Sequence, residues 1–210
     1  EDIDIIRIGD EYLAVKYRGS NTELTLGELH YDGVNVSDYS IEKGFLNDSS
    51  VSSLTVGTQA QLTAESFANC YNLTYVDLKD SMAFEIPDSC FNNCSRLTTV
   101  LLPTYMNRIG SYAFSSCTSL QSIDLPAGAS IGAYAFAYCH NLERVVLNEG
   151  VSFDYSNNYA FGDCFNLFEV YNLAGLDLSD AYSTGHVAAY ALKVYDSASA
   201  ASQVTKFKDE

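Results

Sequence analysis

The 210-residue chain has no tryptophan, three prolines, three histidines and eleven basic residues against 27 acidic ones. Each scarcity excludes something. A net charge of −16 opposes phosphate backbones and anionic membrane surfaces, so nucleic acid is a poor partner. Without tryptophan, a carbohydrate-binding module would have to rest on the sixteen tyrosines, which makes it the weaker alternative. No run of about 18 apolar residues exists, so no segment is expected to insert in a bilayer. A Gly-x-Ser-x-Gly elbow, a phosphate-cradling glycine loop and a His-x-x-x-His pair are all missing, so no enzyme, cofactor or metal is indicated. The opening residues Glu1-Asp2-Ile3-Asp4 carry neither the basic region nor the apolar core of a signal sequence. Two expectations stay open: a chain that was never exported, or one whose leader was removed.

What is present is a repeat. The pattern Phe-x-x-Cys-x-x-Leu-x-x-(Val/Ile)-x-Leu reads Phe67, Cys70, Leu73, Val76, Leu78 in its first clear copy. It returns as Phe91, Cys94, Leu97, Val100, Leu102, then Phe114, Cys117, Leu120, Ile123, Leu125, then Phe136, Cys139, Leu142, Val145, Leu147. A fifth copy, Phe161, Cys164, Leu167, Val170, drifts at its end. Phenylalanine and cysteine at i and i+3 share one face of a helical turn, and a small residue precedes each phenylalanine. After the leucine the period becomes 2, the mark of a strand with one face inward. Pro103 and Pro126 end two of these strands. One coil is then a short helix, a turn, a strand and a return loop. No coil can bury its apolar face alone, so the coils must stack.

These readings predict an α/β solenoid: a right-handed superhelix with a parallel sheet and short helices on its outer side. A single domain over 1–210 is expected, with an N-terminal hairpin cap over 1–21 and repeat coils over 22–173. A C-terminal capping helix and tail fill 174–210. The hairpin pairs Ile5–Ile8 with Leu13–Tyr17, and the helix places Val187, Tyr190, Ala191 and Val194 on one face. A weaker coil fits with Phe45, Asp48 in place of cysteine, Val51, Leu54 and Val56. The polar tail from Asp196 reads as a frayed end.

With that frame, residues 109–126 (Ile-Gly-Ser-Tyr-Ala-Phe-Ser-Ser-Cys-Thr-Ser-Leu-Gln-Ser-Ile-Asp-Leu-Pro) resemble the BspA-type leucine-rich repeat. Residues 131–147 match through Ile131-Gly132 and Ala135-Phe136, and His-Val-Ala-Ala-Tyr-Ala at 186–191 resembles the usual C-terminal end. The resemblance covers about residues 19–173. It implies a surface or secreted protein of gut or oral bacteria, or of parasitic protists, that binds a host or bacterial protein without enzyme activity. The chain departs from the pattern at Asp48 and in coils that lack the strand-ending proline. Its cysteine also precedes the strand rather than following it.

Candidate functional residues follow from the alternation. Strand residues out of phase with the core line the concave face of a solenoid. They are Tyr75, Asp77, Thr99, Leu101, Ser122, Asp124, Arg144, Val146, Glu169 and Tyr171, preceded by Glu23, Thr25, Ser53 and Thr55. This row is the expected protein-binding surface, with a structural spacer or display segment as the alternative role. Tyr112, Tyr134 and Tyr159 form a second row that should cover the short helices. The six cysteines fall at inward positions and read as buried thiols, although adjacent rungs lie close enough that disulfides stay open. His30, His140 and His186 stand in unrelated contexts. Asp177 and Asp180 read as a solvated acidic turn rather than a calcium loop.

Overall fold

A computed structural model describes residues 2–154 and 158–196. The chain winds as a parallel β-solenoid with three sides per coil. On the first side, strands Glu23–Leu26, Ser53–Val56, Tyr75–Asp77 and Thr99–Leu101 form one parallel ladder. Strands Ser122–Leu125, Arg144–Leu147, Glu169–Asn172 and Lys193–Tyr195 form the next. Register is kept residue for residue, with Ile123, Val145, Val170 and Val194 in line and buried. Inward phase is fixed because a one-residue slip would turn every apolar side chain outward. Ladder pairing breaks between Thr99–Leu101 and Ser122–Leu125.

A second parallel sheet runs where only a return loop was expected. Its two-residue strands are Glu85–Ile86, Arg108–Ile109, Ser130–Ile131 and Ser152–Phe153, with Ile86, Ile109 and Ile131 in register and buried. At its N-terminal end, Glu11–Tyr17, Tyr39–Ile41 and Ala60–Gln61 pair in parallel, and Ile3–Ile8 closes that edge as an antiparallel hairpin. Gly110 and Gly132 follow two of these strands for a steric reason. A Cβ there would stand 2.6 Å from the amide nitrogens of Asp88 and Ser111 in the preceding coil.

The third side corrects the expected short helices. Tyr112 and Ser116 both have positive φ, as do Tyr134 and Tyr138, and Tyr159 and Asp163. Only three residues separate each left-handed pair, too few for a helical ladder. Amides alternate instead. Ala113, Ser115 and Cys117 donate three residues back, whereas Tyr112, Phe114 and Ser116 donate to Ala133, Ala135 and Ala137 of the next coil. Here the small residue before each phenylalanine acts: its carbonyl accepts the amide of the phenylalanine in the neighbouring coil, at 2.7 Å for Phe114 and Phe136.

The C-terminal capping helix is corrected likewise. Gly185 and His186 have positive φ, and Lys193–Tyr195 pairs with Glu169–Asn172 as one more parallel strand. Val187, Ala191 and Val194 are buried as expected, but in a further coil; Tyr190 is exposed. The expected frayed tail lies outside the described residues, apart from Asp196.

The core runs continuously from Ala14 to Val194. Phe67, Phe91, Phe114, Phe136 and Phe161 stack along it with ring centroids 5.1–5.3 Å apart and planes within 14°. All six cysteines are free and buried beside this stack.

Candidate functional site

Outward residues of the first sheet are arranged as the alternation requires, with one exception. Tyr75, Asp77, Thr99, Leu101, Arg144, Glu169 and Tyr171 are partly exposed, and Ser122 and Asp124 are exposed. Val146 is the correction. It stands in register between Asp124 and Tyr171, two longer side chains, and keeps only 7% of its surface exposed.

The row forms a chain of contacts across coils. Arg144 Nη1 lies 3.1 Å from Asp124 Oδ1, and its guanidinium sits 5.3 Å from the centre of the Tyr171 ring. Tyr171 stacks on Tyr195 at 4.6 Å. Lys193 Nζ donates to Glu169 Oε1 at 3.2 Å, and that bond raises the lysine pKa above its ordinary value. Lower in the row, Tyr75 Oη donates to Asp77 Oδ2 at 3.3 Å, and Lys79 pairs with the same carboxylate at 3.4 Å. These pairs are at least partly exposed and individually weak, and they set aromatic and guanidinium planes against one another across the coils.

Two hollows open on this face. The larger, about 570 Å³, is lined by Arg144, Glu169, Lys193, Glu143, Phe168 and Leu192, with Gln121 and Ser122 at one end. A second of 280 Å³ lies over the break in the sheet, between Thr98–Leu102 and Gln121–Asp124. Phe168, 38% exposed, and Leu192, 64% exposed, did not enter the expected row because they precede their strands. Along each ladder, except at the break after Thr98, the residue just before the strand carries a carbonyl that accepts two amides from the next coil. Phe168 O takes those of Leu192 and Lys193, both at 2.9 Å. Side chains at that position therefore line up across coils beside the outward row.

The cysteine row is buried and hydrogen-bonded inward. Cys94, Cys117, Cys139 and Cys164 each donate through Sγ to the phenylalanine carbonyl one coil back, at 3.2–3.3 Å. Burial pushes the thiols of Cys90, Cys117 and Cys164 up to about 12, and that of Cys139 well above its ordinary value. At those four positions little thiolate forms at neutral pH. His140 is exposed and stacks on Phe165 at 5.8 Å. Asp177 and Asp180 accept the amides of Ser179 and Tyr182, each at 3.0 Å, and that local hydrogen bonding lowers the Asp177 pKa. Among the described residues, no three acidic, histidine or cysteine side chains gather as metal ligands, and no helix is long and apolar enough to cross a membrane.

Six copies of the BspA type leucine rich repeat region match residues 39–177. The leucine rich repeat protein of T. pallidum (TpLRR) superposes with a TM-score of 0.60 at 23% identity, over 93% of this chain and 79% of its own. A leucine-rich repeat protein from Bacteroides ovatus superposes with a TM-score of 0.65 at 22% identity, over 81% of this chain and 46% of its own. Both share the fold. No curated protein matches the sequence significantly.

Proposed function

The chain belongs to the BspA-type leucine-rich repeat family, and from that premise we propose that it is a non-catalytic, extracellular protein-binding module of adhesion type. Its contact surface is the outward side of the first sheet. The 570 Å³ hollow carries this reading, because exposed Phe168 and Leu192 sit there inside a rim of Arg144, Glu143, Glu169 and Lys193. An apolar patch with a charged rim is the usual anatomy of a protein contact. Arg144, Tyr171 and Tyr195 are already held by stacking, so little freedom is lost when a partner covers them. A net charge of −16 favours a partner of opposite sign. Combining Tyr75→Ala, Arg144→Ala and Tyr171→Ala should abolish binding to a host or bacterial surface protein while thermal unfolding stays cooperative. Normal binding by the triple variant would move the site off this sheet.

A spacer or display role has its own support. Asp77, Asp124 and Glu169 are each paired with a cation of the same face, as suits a surface kept soluble for its own sake. That reading expects no host or bacterial protein to bind above background.

A further inference from the structure

We infer that the contact surface continues round the corner from the first sheet to the third side, in the last coils, and that this corner docks a basic, apolar segment of a partner protein. The inference rests on reading the first sheet as a contact surface, and it names the chemistry of the partner. Two columns of residues meet at the corner. One is the residue after each cysteine, which reads Ser95, Thr118, His140 and Phe165. The other is the residue just before each strand, which reads Thr74, Thr98, Gln121, Glu143, Phe168 and Leu192. Both columns turn apolar only in the last two coils. The repeat does not require that change, since serine and threonine serve in earlier coils. Phe165 is 52% exposed, and Tyr190, 39% exposed, meets its ring at 5.3 Å. With Phe168 and Leu192, they hold four large side chains toward solvent within two coils.

Hollows flank the corner on both sides. Phe168 and Leu192 line the 570 Å³ hollow of the sheet, and Tyr190 and Asp163 line another of 350 Å³ on the third side. Charge then selects the occupant. The arginine and lysine lining these hollows, Arg144 and Lys193, are already paired with Asp124 and Glu169. Glu143 and Asp163 join no ion pair among the described residues, so the corner keeps two carboxylates without a counter-charge. A wholly apolar partner would cover those carboxylates unpaired, and an anionic membrane would be repelled by them. Lysine or arginine beside bulky apolar side chains meets both features. The apolar groups cover the exposed rings and Leu192, and the cations pair with Glu143 and Asp163. Glu143 and Leu192 lie two coils apart, about 10 Å, which an extended segment spans in about three residues.

The probe is the peptide Ac-Gly-Lys-Leu-Phe-Lys-Leu-Lys-Gly-amide, titrated into the whole chain at physiological ionic strength and followed by calorimetry. Saturable one-to-one binding is expected. Analogues with glutamine for every lysine, or serine for every apolar residue, should each bind about tenfold more weakly. Phe165→Ser with Leu192→Ser changes only exposed positions and should lose about tenfold with thermal unfolding unchanged. Glu143→Gln with Asp163→Asn should lose as much, and asparagine suits the left-handed backbone at 163. Glu28→Gln with Asp80→Asn makes the same charge change at exposed positions outside both hollows and should lose nothing. Equal losses in the two charge variants would mean general attraction to an acidic chain and would overturn the inference. Unchanged affinity in the Phe165→Ser, Leu192→Ser variant, or no saturation, would do the same. So would tighter binding by the chain with Val204→Ser and Phe207→Ser, which would give the corner to its own Val204–Lys208 segment. No natural partner enters this titration, so its failure leaves the sheet reading to be judged by the Tyr75, Arg144 and Tyr171 variant alone.

Discussion

The coils from Phe91 to Phe161 and the coil around Phe45 share a buried phenylalanine and an apolar strand, and they differ by one backbone position in the turn. In the regular coils the left-handed pairs bracket the phenylalanine symmetrically, as Tyr112 and Ser116 bracket Phe114. In the N-terminal coil the left-handed pair is Gly44 and Asp48, which brackets Leu46 instead. Phe45 therefore occupies the small-residue position, and its carbonyl accepts the amide of Tyr17. Its ring still reaches Phe67, at 6.3 Å, but edge-on at 82° rather than stacked. Asp48, read from sequence as a substitute for the buried cysteine, is an exposed residue of the turn. The comparison teaches that the backbone turn sets where each ring goes, and the repeated side chains then follow it.

The largest expected effect separates these regions by stability. Phe114→Ala should cost about 3–5 kcal/mol, since it removes a fully buried ring and two stacked partners. Phe45→Ala should cost less by about 1 kcal/mol, because its ring contacts with Phe67 and Tyr17, at 6.3 and 6.5 Å, are longer than the two that Phe114 makes at 5.2 and 5.3 Å. Urea unfolding of both variants checks the order; equal costs would mean that the closer, parallel stacking of Phe114 adds nothing beyond the looser contacts of Phe45.

Thiol chemistry gives the next contrast. Native protein should show no fast-reacting thiol at pH 8, and unfolded, unreduced protein should show all six. Asp48→Cys should add one thiol that reacts in the native state. A protected thiol there would restore the cysteine frame to that coil. The same burial predicts a pH effect. Cys90, Cys117 and Cys164 have folded pKa values raised from 9.0 to about 12. Their contribution is whole below the unfolded value and is lost as pH rises from about 9 through about 12. Urea midpoints should fall across that window, and a smaller fall is expected in Cys117→Ala.

The smallest effect concerns the turn itself. Ser116→Gly should change stability by no more than about 1 kcal/mol, as relief of the left-handed conformation is offset by a freer unfolded chain. Ser115→Gly, next door and at negative φ, should only destabilise. Identical results would remove the left-handed assignment.

Much of this architecture was legible because Phe, Cys, Leu and Val recur at positions that must face inward. Other parts were not, for physical reasons. Residues at i and i+3 share a side in both a helix and a tight turn, so spacing alone could not distinguish the left-handed turns at Tyr112 and Ser116 from a helix. Two-residue strands such as Arg108–Ile109 are too short to express alternation, and only the repeated Ile-Gly hinted at them. Val146 followed the outward phase yet is buried, since exposure depends on neighbours one coil away. Phe168 and Leu192 were missed because alternation says nothing about residues just outside the strand.

Ring-to-ring nuclear Overhauser contacts among the phenylalanines test the stacked, parallel coils most directly. Continuous cross-peaks from Phe67 through Phe91, Phe114 and Phe136 to Phe161 are predicted, with Phe45 touching Phe67 by its edge. Missing contacts between successive rings, or Hα–Hα contacts that make Ser122–Leu125 antiparallel to Arg144–Leu147, would contradict it.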